Sequence, residues 1–277
     1  MHRPWSGLRR VSGRKAACFR RSAAALRGAA ATLAAMWLLG VGGASPPPGP
    51  SPDLSREQLV RNFDTVVFHN EFDPQTDNRL RKWVDPIRLF LDIRTGDRKL
   101  IEFAVDQHAS RLAAITGYDI AVTGERAAAN VIVAFDRDSA LGQVGRDYFP
   151  PNFDIKRMMQ TNLCIGQYRS NDRYEIVRGV VVIPIDRVMS RGRLEACVVE
   201  EITQILGLPN DSDEVFPSIF NDRSIDVELS AQDVLLVKLL FDPRLRPGMP
   251  RADALANVRA ILGEMGYGED RQRPAGH

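Results

Sequence analysis

The chain of 277 residues is 44% hydrophobic and 26% charged, a composition that suits a globular core and leaves room for one large domain or two small ones. Its formal charge of +2 is unevenly spread, because eight Lys/Arg and no Asp/Glu precede Asp53. Without that leading segment 29 Lys/Arg face 35 Asp/Glu, a net charge of −6, and nothing in the charge points to a nucleic-acid partner.

Taken in chain order, residues 1–44 read as an export signal. Basic residues from Arg3 to Arg27 precede an apolar run from Gly28 to Ala44, and the small residues Gly42 and Ala44 suit cleavage after Ala44. The expected location is periplasmic or secreted. Membrane anchoring by an uncleaved signal is the alternative, although the run is short and rich in Ala and Gly for a span. Residues 45–54, with Pro46-Pro47-Pro48-Gly49-Pro50, form a stiff linker. A domain over 55–265 and a flexible polar tail over 266–277 follow. Cys18 lies in the signal, which leaves Cys164 and Cys197 in the exported part. An oxidising compartment favours a disulfide between them; two separate buried thiols are the other reading.

Within the domain the pattern is that of an α/β (α+β) fold. Ser55 to Glu71 is an amphipathic helix capped by Ser55. Trp83 to Leu91 alternates as a strand, with Pro86 suggesting an edge or a bulge. Asp97 to Ile115 has helical spacing and stops at Gly117. Val131 to Phe135 and Val177 to Ile185 are apolar runs that suit buried strands. Arg146 to Gln160, with Tyr148-Phe149-Pro150-Pro151-Asn152-Phe153, reads as a long aromatic loop between them. A helix from about Arg193 to Leu206 ends at Gly207, and Pro209 prevents its continuation. Ser230 and Asp233 cap a helix running to Leu240, in an Asp variant of the capping box. Ala252 to Met265 is the last helix.

The chemistry concentrates at Glu200-Glu201-Ile202-Thr203-Gln204-Ile205-Leu206-Gly207-Leu208-Pro209-Asn210. Its frame resembles the extended zinc-peptidase motif H-E-x-x-H-x-x-G-x-x-H, with no histidine in it. Two further stretches resemble the same metzincin (zincin) family. Ser218-Ile219-Phe220 lies where that family has its Ser-Ile-Met turn, and Leu229-Ser230-Ala231-Gln232-Asp233-Val234 leads to Leu239-Leu240-Phe241 as the family's corresponding segment leads to Leu-Tyr. Cys197 to Leu208 also resembles the Cys-x-x-Glu-Glu-x-x-Gln-x-Leu-Gly-Leu segment of a group of proteobacterial exported proteins of unknown function, often labelled lipoproteins.

The resemblance implies a mixed sheet, a central helix bearing the motif and C-terminal helices. It places Glu201 at the general-base position and Glu200, Gln204 and Asn210 at the three metal-ligand positions. One carboxylate and two neutral amides replace three imidazoles, and amide oxygen is a poor zinc ligand. No cofactor is therefore expected, zinc included, and Glu201 is catalytic only if the site is active. The expected role is a pseudopeptidase, with the cleft kept for binding a peptide or a cell-envelope component, or for structure. Asp211 and Phe220 are candidate cleft residues. The alternative is a hydrolase that uses Glu201 with non-standard or no metal ligation. Asn210, Asp211, Asp213 and Glu214 form an oxygen-rich stretch that reads as a solvated turn, with calcium as the other reading. Asp136 and Asp138 follow a strand end, where functional residues often sit. His69 and His108 are the histidines inside the domain, and His108 falls in a helical pattern that suits packing rather than ligation.

Overall fold

The computed structural model describes residues 54–69, 78–221 and 227–268. All of these belong to one compact unit, Pro46–His277. The expected signal (1–44), most of the expected linker and most of the expected tail lie outside the described residues, as do Asn70 and Glu71 at the expected end of the first helix.

The fold is a mixed α/β arrangement in which six strands form one sheet in the order β1-β6-β4-β2-β3, with β5 on the free side of β6. The strands are β1 (Lys82–Trp83), β2 (Ile87–Ile93), β3 (Ile120–Val122), β4 (Val131–Asp136), β5 (Ile165–Ser170) and β6 (Glu175–Pro184). Every pairing is parallel except that of β5 with β6. Crossover helices between parallel strands cover both sheet faces, so the central strands must be apolar on both. Strand β4 shows this directly: Val131, Val133 and Phe135 enter the larger core, while Ile132 and Ala134 enter a smaller one. The smaller core also takes Val180 and Val182 of β6, Ile165 of β5 and the apolar side of α3 (Leu141–Tyr148).

The larger core is closed by α1 (Arg56–Phe68), α2 (Arg98–Thr116), α6 (Leu194–Gln204), α7 (Ala231–Phe241) and α8 (Arg251–Glu264). Their ends follow from local chemistry. Ser55 accepts from Gln58 N at 3.2 Å and starts α1. Asp97 accepts from Lys99 N and Leu100 N to start α2, which ends where Gly117 turns to φ +67° and returns its N–H to Ala113 O at 2.8 Å. Ser230 and Asp233 form the expected capping box of α7.

Three departures from the sequence reading matter. The segment Arg146–Gln160 is not one loop: α3 ends inside it and α4 (Ile155–Met158) lies within it, because Val144, Tyr148, Ile155 and Met159 together pack the smaller core. The expected strand Trp83–Leu91 breaks before Pro86 into β1 and β2, since proline cannot donate to a ladder. Strand β5 and the short helix α5 (Ile185–Ser190) carry no clear periodicity and are defined by their neighbours. Among the described residues no helix is long and apolar enough to cross a membrane.

Candidate functional site

Helix α6 carries the motif and is held at both ends. Near its start Cys197 is disulfide-bonded to Cys164, immediately before β5, over a sequence separation of 33 residues. A loop of that size stabilises the fold by about 3–4 kcal/mol in the chain-entropy treatment. At the other end the indole Nε1 of Trp83 donates to Ile205 O at 2.9 Å. Gly207 then takes φ +118°, where a Cβ would also stand 2.9 Å from Arg81 O. Both facts exclude a side chain here, and the turn that stops α6 needs glycine.

On the other side α6 faces α2. Thr203 Oγ1 donates to Val199 O at 2.6 Å, which spends its one proton. The 3.0 Å bond between His108 Nε2 and Thr203 Oγ1 therefore has His108 as donor, which sets its neutral tautomer. Burial and then the nearby Arg111 charge push the His108 pKa down to about 3, while a hydrogen bond with the Val199 backbone works the other way. His108 is a packed core histidine and does not belong to the group formed by Cys164, Glu200 and Glu201.

The motif positions separate into distinct environments. Glu201 is 4% exposed and lies under β5, while Glu200 is half-buried beside it. The reason β5 can approach so closely is Gly166: a Cβ there would meet Glu201 O at 2.9 Å and Glu201 Oε2 at 3.0 Å. Gln204 Nε2 donates to Asp211 Oδ1 at 2.7 Å. Asn210 turns elsewhere, with Nδ2 on Thr65 O at 3.1 Å and its backbone N on Val66 O at 3.3 Å. Those are last-turn carbonyls of α1, which lack intrahelical partners, so Asn210 satisfies a helix end. Gln204 and Asn210, which the resemblance set at neighbouring ligand positions, thus bind Asp211 and α1 respectively.

The turn after α6 is closed by its own backbone. Ser212 N donates to Phe220 O at 2.7 Å, and Asn221 Nδ2 donates to Asp213 O and Val215 O, each at 3.1 Å. Asp213 and Glu214 face solvent while Asn210 points to α1, so the oxygen-rich stretch does not converge. Phe220 is fully buried, and its ring belongs to the core beneath the site rather than to an open wall. The turn is pinned from below by Asp233. Ser218 Oγ donates to Asp233 Oδ1 at 2.5 Å, and Ile219 N and Ser230 N donate to Oδ2 at 3.1 and 2.8 Å. Burial pushes the Asp233 carboxyl up, against these hydrogen bonds, which favour its charged form.

Among the described residues one group of His, Cys and carboxylate side chains is close enough to share an ion: Cys164, Glu200 and Glu201, whose ligand atoms lie within 4.8 Å of one another. In the disulfide-bonded protein the Cys164 sulfur is already committed to Cys197. Neither Gly166 nor Trp83 stood out in the sequence, because each acts through a contact distant in the chain. Both acids at the end of β4 belong to ion pairs: Asp136, the last residue of β4, with Arg94 just after β2 at 3.6 Å, and Asp138 with Arg187 of α5. Arg94 also reaches Asp92 and Asp147, each at 2.7 Å.

No curated protein matches this chain. The family described as a protein of unknown function (DUF2927) matches residues 56–260, which takes in α1, the whole sheet, the motif helix and most of α8, and the chain belongs to that family.

Proposed function

We propose that this chain is an exported domain that keeps a metzincin-like cleft as a binding surface for an extended peptide or cell-envelope polymer, without zinc and without peptidase activity. The mixed sheet, the motif-bearing helix and the C-terminal helices support the metzincin-like part of this reading, being what the resemblance implies. A disulfide at the motif helix supports an oxidising location.

The observation that carries the reading is the separation of the three ligand-equivalent positions. Gln204 is hydrogen-bonded to Asp211, Asn210 to the end of α1, and Glu200 lies beside Glu201 and Cys164. A zinc site needs its donors turned toward one point, and two of these are amides engaged by protein groups. Glu201 without a metal-bound water has no activated nucleophile to deprotonate. Beside it, β5 is an edge strand: among the described residues no strand pairs its outer side. A free edge offers backbone donors and acceptors to an extended chain.

The test is a pair of assays on the oxidised protein. Fluorescence anisotropy with unstructured peptides should show saturable binding, and the same peptides should remain uncleaved with zinc added. Cleavage that disappears in Glu201→Gln, with the fold retained, would replace this reading with the hydrolase.

A further inference from the structure

The disulfide and the two glutamates occupy one corner of the motif helix. Cys197, Glu200 and Glu201 are spaced i, i+3 and i+4 on α6 and so share a helix face. Cys164 comes to that face from the start of β5, held close by the bare Cα of Gly166 against Glu201. Its sulfur and a carboxylate oxygen of each glutamate fall within 4.8 Å of one another. We propose that reduction of the Cys164–Cys197 disulfide turns this corner into a binding site for a borderline divalent cation of the zinc class, held by two thiolates and by Glu200 and Glu201.

Tetrahedral zinc takes sulfur at about 2.3 Å and carboxylate oxygen at about 2.0–2.2 Å, which puts its ligand atoms about 3.3–3.8 Å apart. Closing Cys164, Glu200 and Glu201 onto an ion therefore needs a movement of about 1 Å, within the reach of glutamate rotamers. Cys197, which shares the glutamates' helix face but lies outside that cluster, joins by turning its released sulfur. The disulfide blocks this, since bonded sulfurs have no thiolate to offer. An external dithiol of the oxidoreductase class supplies what the step requires. Its two electrons and two protons break the S–S bond and form two thiols, while the dithiol becomes a disulfide. Metal binding then releases the two thiol protons to water as two metal–sulfur bonds form. Two thiolates select against calcium and magnesium, which take oxygen ligands. The site differs from the one that the peptidase resemblance implies: it uses neither Gln204 nor Asn210, and it is closed whenever the disulfide is intact.

The test titrates the full chain with zinc, and separately with cobalt(II) as a spectroscopic substitute. It is carried out before and after reduction by a phosphine under anaerobic conditions, with circular dichroism recorded throughout. The reduced chain should take up one zinc and show a thiolate-to-cobalt charge-transfer band, while the oxidised chain shows neither. Cys197→Ser should cut the band by about half, since Cys164 is then the one thiolate left. Glu200→Gln, at a half-buried position, should keep the fold and weaken zinc by at least about tenfold, since losing a direct ligand costs no less than losing an outer-shell partner. Equal metal uptake by oxidised and reduced chains, equal uptake of calcium and zinc, or a reduced chain that loses its fold with zinc present would each overturn the proposal.

Discussion

Gln204 Nε2 donates to Asp211 Oδ1 at 2.7 Å, so the last residue of the motif helix is tied to the turn that follows it. Removing one partner of a mostly buried, charge-assisted bond should cost about 1–3 kcal/mol. Gln204→Ala is expected to lower stability by that amount in urea unfolding. Gln204→Glu should be worse at neutral pH, because it sets two carboxylates against each other, and should recover as the solution is acidified.

Gly166→Ala tests the close approach of β5 to α6. Its Cβ would meet the Glu201 backbone oxygen at 2.9 Å, and backbone cannot swing aside as a flexible side chain can. Overpacking of this kind should destabilise by about 1–3 kcal/mol, read from the urea midpoint at an unchanged slope.

His108 makes stability depend on acid. Its folded pKa of about 3 lies below the usual 6.5, so between those values the unfolded chain binds the extra proton. Its contribution is complete above pH 6.5 and drains away as the pH falls toward 3, to a limit of about 5 kcal/mol. Unfolding free energies measured from pH 7 to pH 4 should fall less steeply in His108→Gln than in the parent chain. Parallel curves would remove His108 as the source.

Asp233→Ala should be the most damaging of these substitutions. It strips the acceptor from the Ser218 hydroxyl and from the Ile219 and Ser230 backbone N–H groups at once, in the buried seam between the turn and α7. Three donors left without partners should cost about 3 kcal/mol or more. Circular dichroism with urea would read the loss, and Asp233→Asn should retain part of it through its one carbonyl oxygen.

How much of this could be read beforehand follows from the range of the interactions. Ser55, Asp97, Gly117 and the Ser230–Asp233 box act within a turn of themselves, and their signals lie in adjacent residues. Val131 to Phe135 announced a buried strand because both of its faces are covered. Strand β5 has no such signature: Ile165-Gly166-Gln167-Tyr168 becomes a strand by pairing with Val182 to Gly179 of β6. At the site, the eleven-residue frame placed α6 and its terminating glycine, and the expectation of an oxidising compartment favoured the pairing of Cys164 with Cys197 that the structure has. The partners of Gln204 and Asn210 did not follow. Asn210 lies 145 positions from Thr65 in the chain, and spacing carries no information about a contact of that range.

Metal analysis of the oxidised protein, with Cys164 and Cys197 bonded, decides whether this site holds zinc. The expected result is a zinc content far below one per chain, unchanged by Gln204→Ala. One tightly held zinc per oxidised chain, lost in Gln204→Ala, would contradict the reading of a zinc-free cleft.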